Sequence, residues 1–153
     1  MNFTLTTPRN FNRIKEFTNS LPQTIRLGVC HGLNETGREM VKHTRKKMRS
    51  GPFTGRTYRI RGRLHIASAT GEYPHTITGR LSRSINYKTY GSARLEYGST
   101  EDYAKFLEEG TSKMGARKFL FQTAKLFDKQ VEVNIEKRVN IQIQKQNITV
   151  NKT

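Results

Sequence analysis

The sequence predicts an α+β fold, with a long N-terminal helix and a C-terminal helix packed on a small antiparallel β-sheet. A long basic loop or β-excursion separates the first helix from the sheet. Three observations carry this prediction. Residues 22–48 place Ile25, Val29, Leu33, Met40 and Val41 near one face at three- and four-residue spacing, the period of a helix with one apolar side. Residues 85–90 and 93–98 alternate with period two across Gly91-Ser92, the pattern of a β-hairpin. From Phe119 through Leu120, Ala124 and Phe127 the spacing becomes helical again. Two strands alone are marginally stable, so the hairpin must pack on a helix or join more strands.

A chain of 153 residues suffices for one domain with a modest core, and the 33% hydrophobic content predicts exposed appendages. We expect an N-terminal arm over 1–20 with one short helical turn around 12–17. A single domain over 21–144 follows, with an extended basic loop over 51–77, and then a polar tail over 145–153.

Pro22 suits the first position of the leading helix. Gly28, Gly32 and Gly37 narrow its apolar face, each at up to about 1 kcal/mol against Ala. Small residues four apart also let another element approach closely, so packing along this helix is expected. The helix should end at Ser50-Gly51-Pro52, where glycine supplies a left-handed cap and proline cannot continue.

The basic segment comes next. Between Arg38 and Arg63 ten Lys or Arg stand against one acid, Glu39, which gives +9 of the chain's +16. In residues 58–66 apolar and basic residues alternate, as in a two-stranded excursion turning at Gly62. Tyr58, Ile60, Leu64 and Ile66 would share one side, and Arg59, Arg61 and Arg63 the other. Residues 78–85 read as a short helix capped by Thr78. A further helix over 101–109, started by Ser99 or Thr100 and ended by Gly110, would turn Tyr103, Phe106 and Leu107 inward. The last helix runs from Lys118 to about Lys129; beyond it, 131–143 fits either a continued helix or β-branched strands.

The net charge and a pI near 10.4 favour a polyanionic or acidic neighbour. Lys42, Arg45, Lys46 and Arg49, with Arg80 and Arg83, are candidates to face DNA or an acidic surface, although cations late in a helix also suit its macrodipole. Arg59, Arg61 and Arg63 beside Tyr58 suit phosphates. The same guanidiniums can grip carboxylates, so both partners stay open. No base-reading motif is present, so any nucleic-acid contact would be to the backbone, which makes a sequence-independent nucleic-acid-binding module the alternative function.

Groups for catalysis do not converge. Glu108-Glu109 reads as a solvated pair, and Glu72 and Glu96 have no evident partner. His31, His43, His65 and His75 lack ligand spacing, and a single cysteine builds no zinc site. Phosphate-loop and nucleophile-elbow patterns are missing. We therefore expect a protein that is not an enzyme, with no catalytic residue, metal or cofactor. Cys30 reads as a buried, inert thiol on the first helix, in a reducing compartment. The opening MNFTLTTPRNF lacks a signal-peptide apolar run and no stretch has the length of a membrane span, so synthesis and assembly in a cytoplasm, without a membrane, are expected.

Two groups of residues carry a family resemblance. The first runs from the basic helix through Gly55-Arg56-Thr57-Tyr58-Arg59, His65, Ala67-Ser68-Ala69, Gly71-Glu72-Tyr73-Pro74, Thr78-Gly79-Arg80-Leu81 and Ser84-Ile85. The second is Tyr103-Ala104, Leu107-Glu108-Glu109-Gly110-Thr111 and Ala116-Arg117-Lys118-Phe119-Leu120, with Lys118 where proline is common. Over residues 35–124 the chain resembles the tail-completion, or head-tail joining, proteins of long-tailed bacteriophages. The resemblance implies a non-enzymatic structural virion protein of the neck, assembled in the host cytoplasm. It would form a ring, commonly a hexamer, between head-connector or stopper proteins and the tail-tube or tail-terminator protein, with non-specific contact to channel DNA as a further expectation. It also implies that the basic loop docks on a neighbour through Arg56, Tyr58, Arg59, Arg61, Arg63, His65, Glu72 and Tyr73, and that Glu109-Gly110-Thr111 is a structural turn.

Overall fold

A computed structural model of the chain describes Asn19 and residues 21–92 and 94–150. Apart from Asn19, the expected arm over 1–20 lies outside the described residues, as does the end of the tail, 151–153. The elements in chain order are α1 (Gln23–Ser50), β1 (Thr57–Ile60), β2 (Arg63–Ile66), α2 (Arg80–Ser84), β3 (Ile85–Tyr90), β4 (Arg94–Ser99), α3 (Ala104–Glu109) and α4 (Phe119–Val150). This is the expected α+β architecture: two long helices and two small antiparallel sheets, β1-β2 and β3-β4.

α1 begins one residue later than its proline suggested. Pro22 is the extended residue before the helix, and its carbonyl accepts from Arg26 N–H at 3.1 Å. The other end stops where glycine and proline predict, with Gly51 at φ 66° donating to Lys47 O. Along α1 the buried stripe is Gly28, Gly32, Leu33, Thr36, Gly37, Met40, Val41, Thr44 and Met48. Ile25 and Val29 are only half-buried, because the glycines themselves are the contact surface. A Cβ on Gly28 would lie 2.6 Å from Val139 Cα, and one on Gly32 would lie 2.5 Å from Ile135 Cα. Any side chain at either position would force the helices apart.

That contact explains why α4 is one continuous helix. Several residues of the alternating stretch 131–143 are held by α1: Asn134 donates to Thr36 Oγ1 at 3.1 Å and to Glu39 at 2.9 Å. Arg138 and Lys137 pair with Glu35. Near the open end Thr24 donates to Gln146 at 2.7 Å, so part of the expected polar tail belongs to the helix pair. α4 runs antiparallel to α1, a local β tendency being overridden by burial against a neighbouring helix.

The core lies where the C-terminal half of α1 meets β3-β4 and the start of α4: Met40, Val41, Met48, Leu81, Ile85, Tyr97, Ala104, Phe119 and Leu120. Within it Thr44 Oγ1 reaches Tyr97 OH and Thr123 Oγ1, the latter at 2.9 Å, and Thr123 Oγ1 meets Tyr73 OH at 3.0 Å. The buried hydroxyls thus satisfy one another, and burial raises the pKa of both tyrosines.

α3 differs in part from expectation. Leu107 packs against the core as expected, but the buried residues are Ala104 and Glu108, while Tyr103 is 38% and Phe106 55% exposed. Glu108 is no solvated acid: its carboxylate accepts from the amides of Leu120 at 3.0 Å and Phe121 at 2.8 Å, at the start of α4. Burial raises its pKa, and those two hydrogen bonds oppose the rise. No helix among the described residues is long and apolar enough to cross a membrane.

Candidate functional site

Residues 51–77 form a hairpin arm with a built base. The two-residue turn Arg61-Gly62, with φ of 48° and 80°, closes β1 on β2 in the register Ile60↔Arg63, Arg59↔Leu64, Tyr58↔His65 and Thr57↔Ile66. Residues directly opposite share a face. Tyr58, Ile60, Arg63 and His65 therefore lie on one side, and Arg59, Leu64, Ile66 and Thr57 on the other. The expected apolar side and arginine side do not exist, because an even-length turn pairs even positions of one strand with odd positions of the next. Each face is mixed, with Leu64 70% exposed and Tyr58 and Ile66 each 40%.

Below the strands the ladder continues through Gly55 N–H to Ala67 O and Ala67 N–H to Arg56 O. Glu72 then closes the base. Its carboxylate accepts from Thr54 Oγ1 at 2.6 Å, Ala69 N–H at 2.8 Å and Thr54 N–H at 3.0 Å, and these bonds, the Thr54 hydroxyl first, hold its pKa below the usual carboxylate value. Arg117 donates to the Ser68 carbonyl and hydroxyl, each at 2.8 Å, and Gly71 N–H reaches Ala116 O at 2.9 Å. On the arm's flank the rings of Phe53 and His75 stack at 3.7 Å, those of His75 and His65 at 4.2 Å, and Tyr58 meets His65 edge-on at 5.2 Å. His75 Nδ1 lies 2.6 Å from Ile66 O. Burial, then the neighbouring His75, lowers the His65 pKa.

The residues expected to dock thus fall into two groups. Arg56, Tyr58, Arg59, Arg61 and Arg63 are exposed on the arm. His65, Glu72 and Tyr73 build its base: one is stacked, one ties the loop, and one is half-buried with its hydroxyl on Thr123. The turn at Glu109-Gly110-Thr111 holds together through Gly110 N–H to Phe106 O and Thr111 N–H to Met114 O.

The helix cations also separate. Lys42, Arg45, Lys46 and Arg49 line one open groove of about 700 Å³, joined by Arg38 and walled on the far side by Asn86 and Tyr87. Arg38 was legible as one helical turn before Lys42 but was not singled out. Arg45 forms the groove's fixed floor, donating to Ser82 O at 3.0 Å and Ile85 O at 2.8 Å. Arg80 is elsewhere, paired with Glu101 at 2.9 Å, and Arg83 is exposed beside Gly79. Cys30 is half-buried, next to the Asn34 amide. Among the described residues no three His, Cys, Asp or Glu are grouped to hold a metal ion. In comparisons with known proteins, no family model matches the chain, and no curated protein and no solved structure matches it either.

Proposed function

We propose that the chain is a structural virion protein of a phage neck, a subunit of a head-tail joining ring, commonly a hexamer, between the head connector and the tail tube. The observation that carries this reading is the arm: a hairpin with a fixed base whose outer part leaves Leu64, Ile66 and Tyr58 exposed on two faces among the described residues. Exposed apolar side chains, set among arginines on an arm held out from a core it does not help to build, suit contact with another subunit. The two stretches that carry the family resemblance also touch. Gly71-Glu72-Tyr73 and Ala116-Arg117 meet at the base of the arm, although they are separated by more than forty residues in sequence.

The test is an image of the assembled particle with the chain labelled. Label at the junction of head and tail is expected; label elsewhere, or particles without the chain, overturns the reading. Leu64→Asp combined with Ile66→Asp should leave the helical circular dichroism of the subunit unchanged and remove it from particles.

A further inference from the structure

Of the groove's five cations on α1, Arg45 ties the fold together through Ser82 O and Ile85 O, while Arg38, Lys42, Lys46 and Arg49 make no such side-chain bond among the described residues. Arg38, Lys42, Arg45, Lys46 and Arg49 follow one another at steps of four, three, one and three residues, so they occupy one side of the helix over about 16 Å. Like charges four residues apart on a helix destabilise it. The macrodipole compensates only within the last turn, and there only Lys47 and Arg49 qualify, so it does not account for Arg38 or Lys42. Some cations elsewhere are paired, Arg80 with Glu101, Lys105 with Glu109, and Lys137 and Arg138 with Glu35, whereas the arm's Arg56, Arg59, Arg61 and Arg63 are in no ion pair among the described residues. Among the described residues no carboxylate lies within ion-pair distance of Arg38, Lys42, Lys46 or Arg49, and no Asp or Glu lines the groove.

We propose that this groove holds the phosphate backbone of duplex DNA without reading its sequence. The lining distinguishes DNA from an acidic protein. Protein interfaces need a buried apolar or aromatic anchor at their centre and are depleted in lysine. Here Val41 is buried, the ring of Tyr87 packs on Gly37, and lysine supplies two of the five cations. A single-stranded ligand would require a series of exposed rings on which bases stack, and the groove's lining has only Tyr87, half-buried against Gly37. A row of cations, anchored by Arg45, matches a regularly spaced polyanion.

The test uses the full chain and fluorescence anisotropy with two duplexes of unrelated sequence and equal length. Equal affinity for both is expected. The slope of log affinity against log salt should be close to −4, from about four to five neutralised phosphates. Because a chain of +16 attracts any polyanion, two variants of equal charge change are compared: Lys42→Glu with Lys46→Glu in the groove, and Arg59→Glu with Arg61→Glu on the arm. The groove variant should lose at least about tenfold in affinity and about two units of slope, the arm variant clearly less. Lys42→Gln with Lys46→Gln, read beside thermal melting, guards against a folding defect. Equal losses in both variants, no loss in the groove variant, or groove-dependent capture of polyglutamate but not of duplex would each overturn the proposal. It stands apart from the neck reading: label at the neck without groove-dependent DNA binding removes this proposal alone, and the reverse removes the neck alone.

Discussion

The two hairpins are nearly the same object in sequence and opposite objects in the fold. Both are short antiparallel pairs that turn at a glycine of positive φ, Gly62 in one and Gly91 in the other, and both alternate apolar with polar residues. The β3-β4 hairpin lies on α1, with Ile85 fully buried and Tyr97 3% exposed. The β1-β2 hairpin buries no residue of either strand. It is ordered from below instead, by Glu72, Arg117 and a column of rings. A hairpin can thus be held in place by a core on its face or by ties and stacked rings at its base, and the second leaves side chains of both faces exposed.

The comparison predicts unequal responses to truncation. Ile85→Ala should cost about 2–5 kcal/mol in global stability by chemical denaturation, because the side chain leaves a cavity among Met40, Leu81 and Phe119. A cost below 1 kcal/mol would mean that the β3-β4 hairpin does not depend on that core. Glu108→Ala should cost about 1–3 kcal/mol, since two amides at the start of α4 lose their acceptor.

On the arm the effects should be local. Glu72→Ala should speed amide exchange across residues 54–69 while leaving exchange in β3-β4 unchanged; acceleration in both hairpins would refute the idea of an independently tied base. The arm should also respond to acid. The His65 pKa lies below its ordinary 6.5 in the fold, so above that value neither form is charged and the stack is complete. As the pH falls through about 6.5 the loosened arm takes up a proton that the stacked arm resists, and order is progressively lost. The methyl shifts of Leu64 and Ile66 should move with a midpoint below 6.5, and a midpoint above it would contradict the direction. Smallest of all, Leu64→Ser should change stability by less than about 0.5 kcal/mol, because the side chain is 70% exposed.

Much of the candidate site was readable in advance as residues but not as an arrangement. The arginines of the arm and the cations of α1 stand out in the chain because charge density is additive along a sequence. In sequence Glu72 reads as a docking residue and Glu108 as a solvated acid. The actual role of each is not legible there, since each acts on amides whose position depends on the fold: Thr54 and Ala69 in one case, the first turn of α4 in the other. A signal was available for Glu108 in its distance from the start of the next helix, but an acid at the end of a short helix looks solvated until that next helix folds back over it.

By itself the sequence determined the type and order of the elements, from the spacing of apolar residues in α1, the alternation in β3-β4, and the glycines that end α1 and α3. Each of these follows from backbone geometry within a few residues. Tertiary structure alone decided the rest. The contact at Gly28 and Gly32 made residues 131–150 part of a helix, and the parity of a two-residue turn distributed the arm's apolar and basic side chains over both faces. The fold also placed acids beside Arg80, Lys137 and Arg138 and none within ion-pair distance of Arg38, Lys42, Lys46 or Arg49 among the described residues. The physical reason is common to all three: a local period tells which way a side chain leaves the backbone, but whether it meets protein, charge or solvent depends on residues brought near only by the fold.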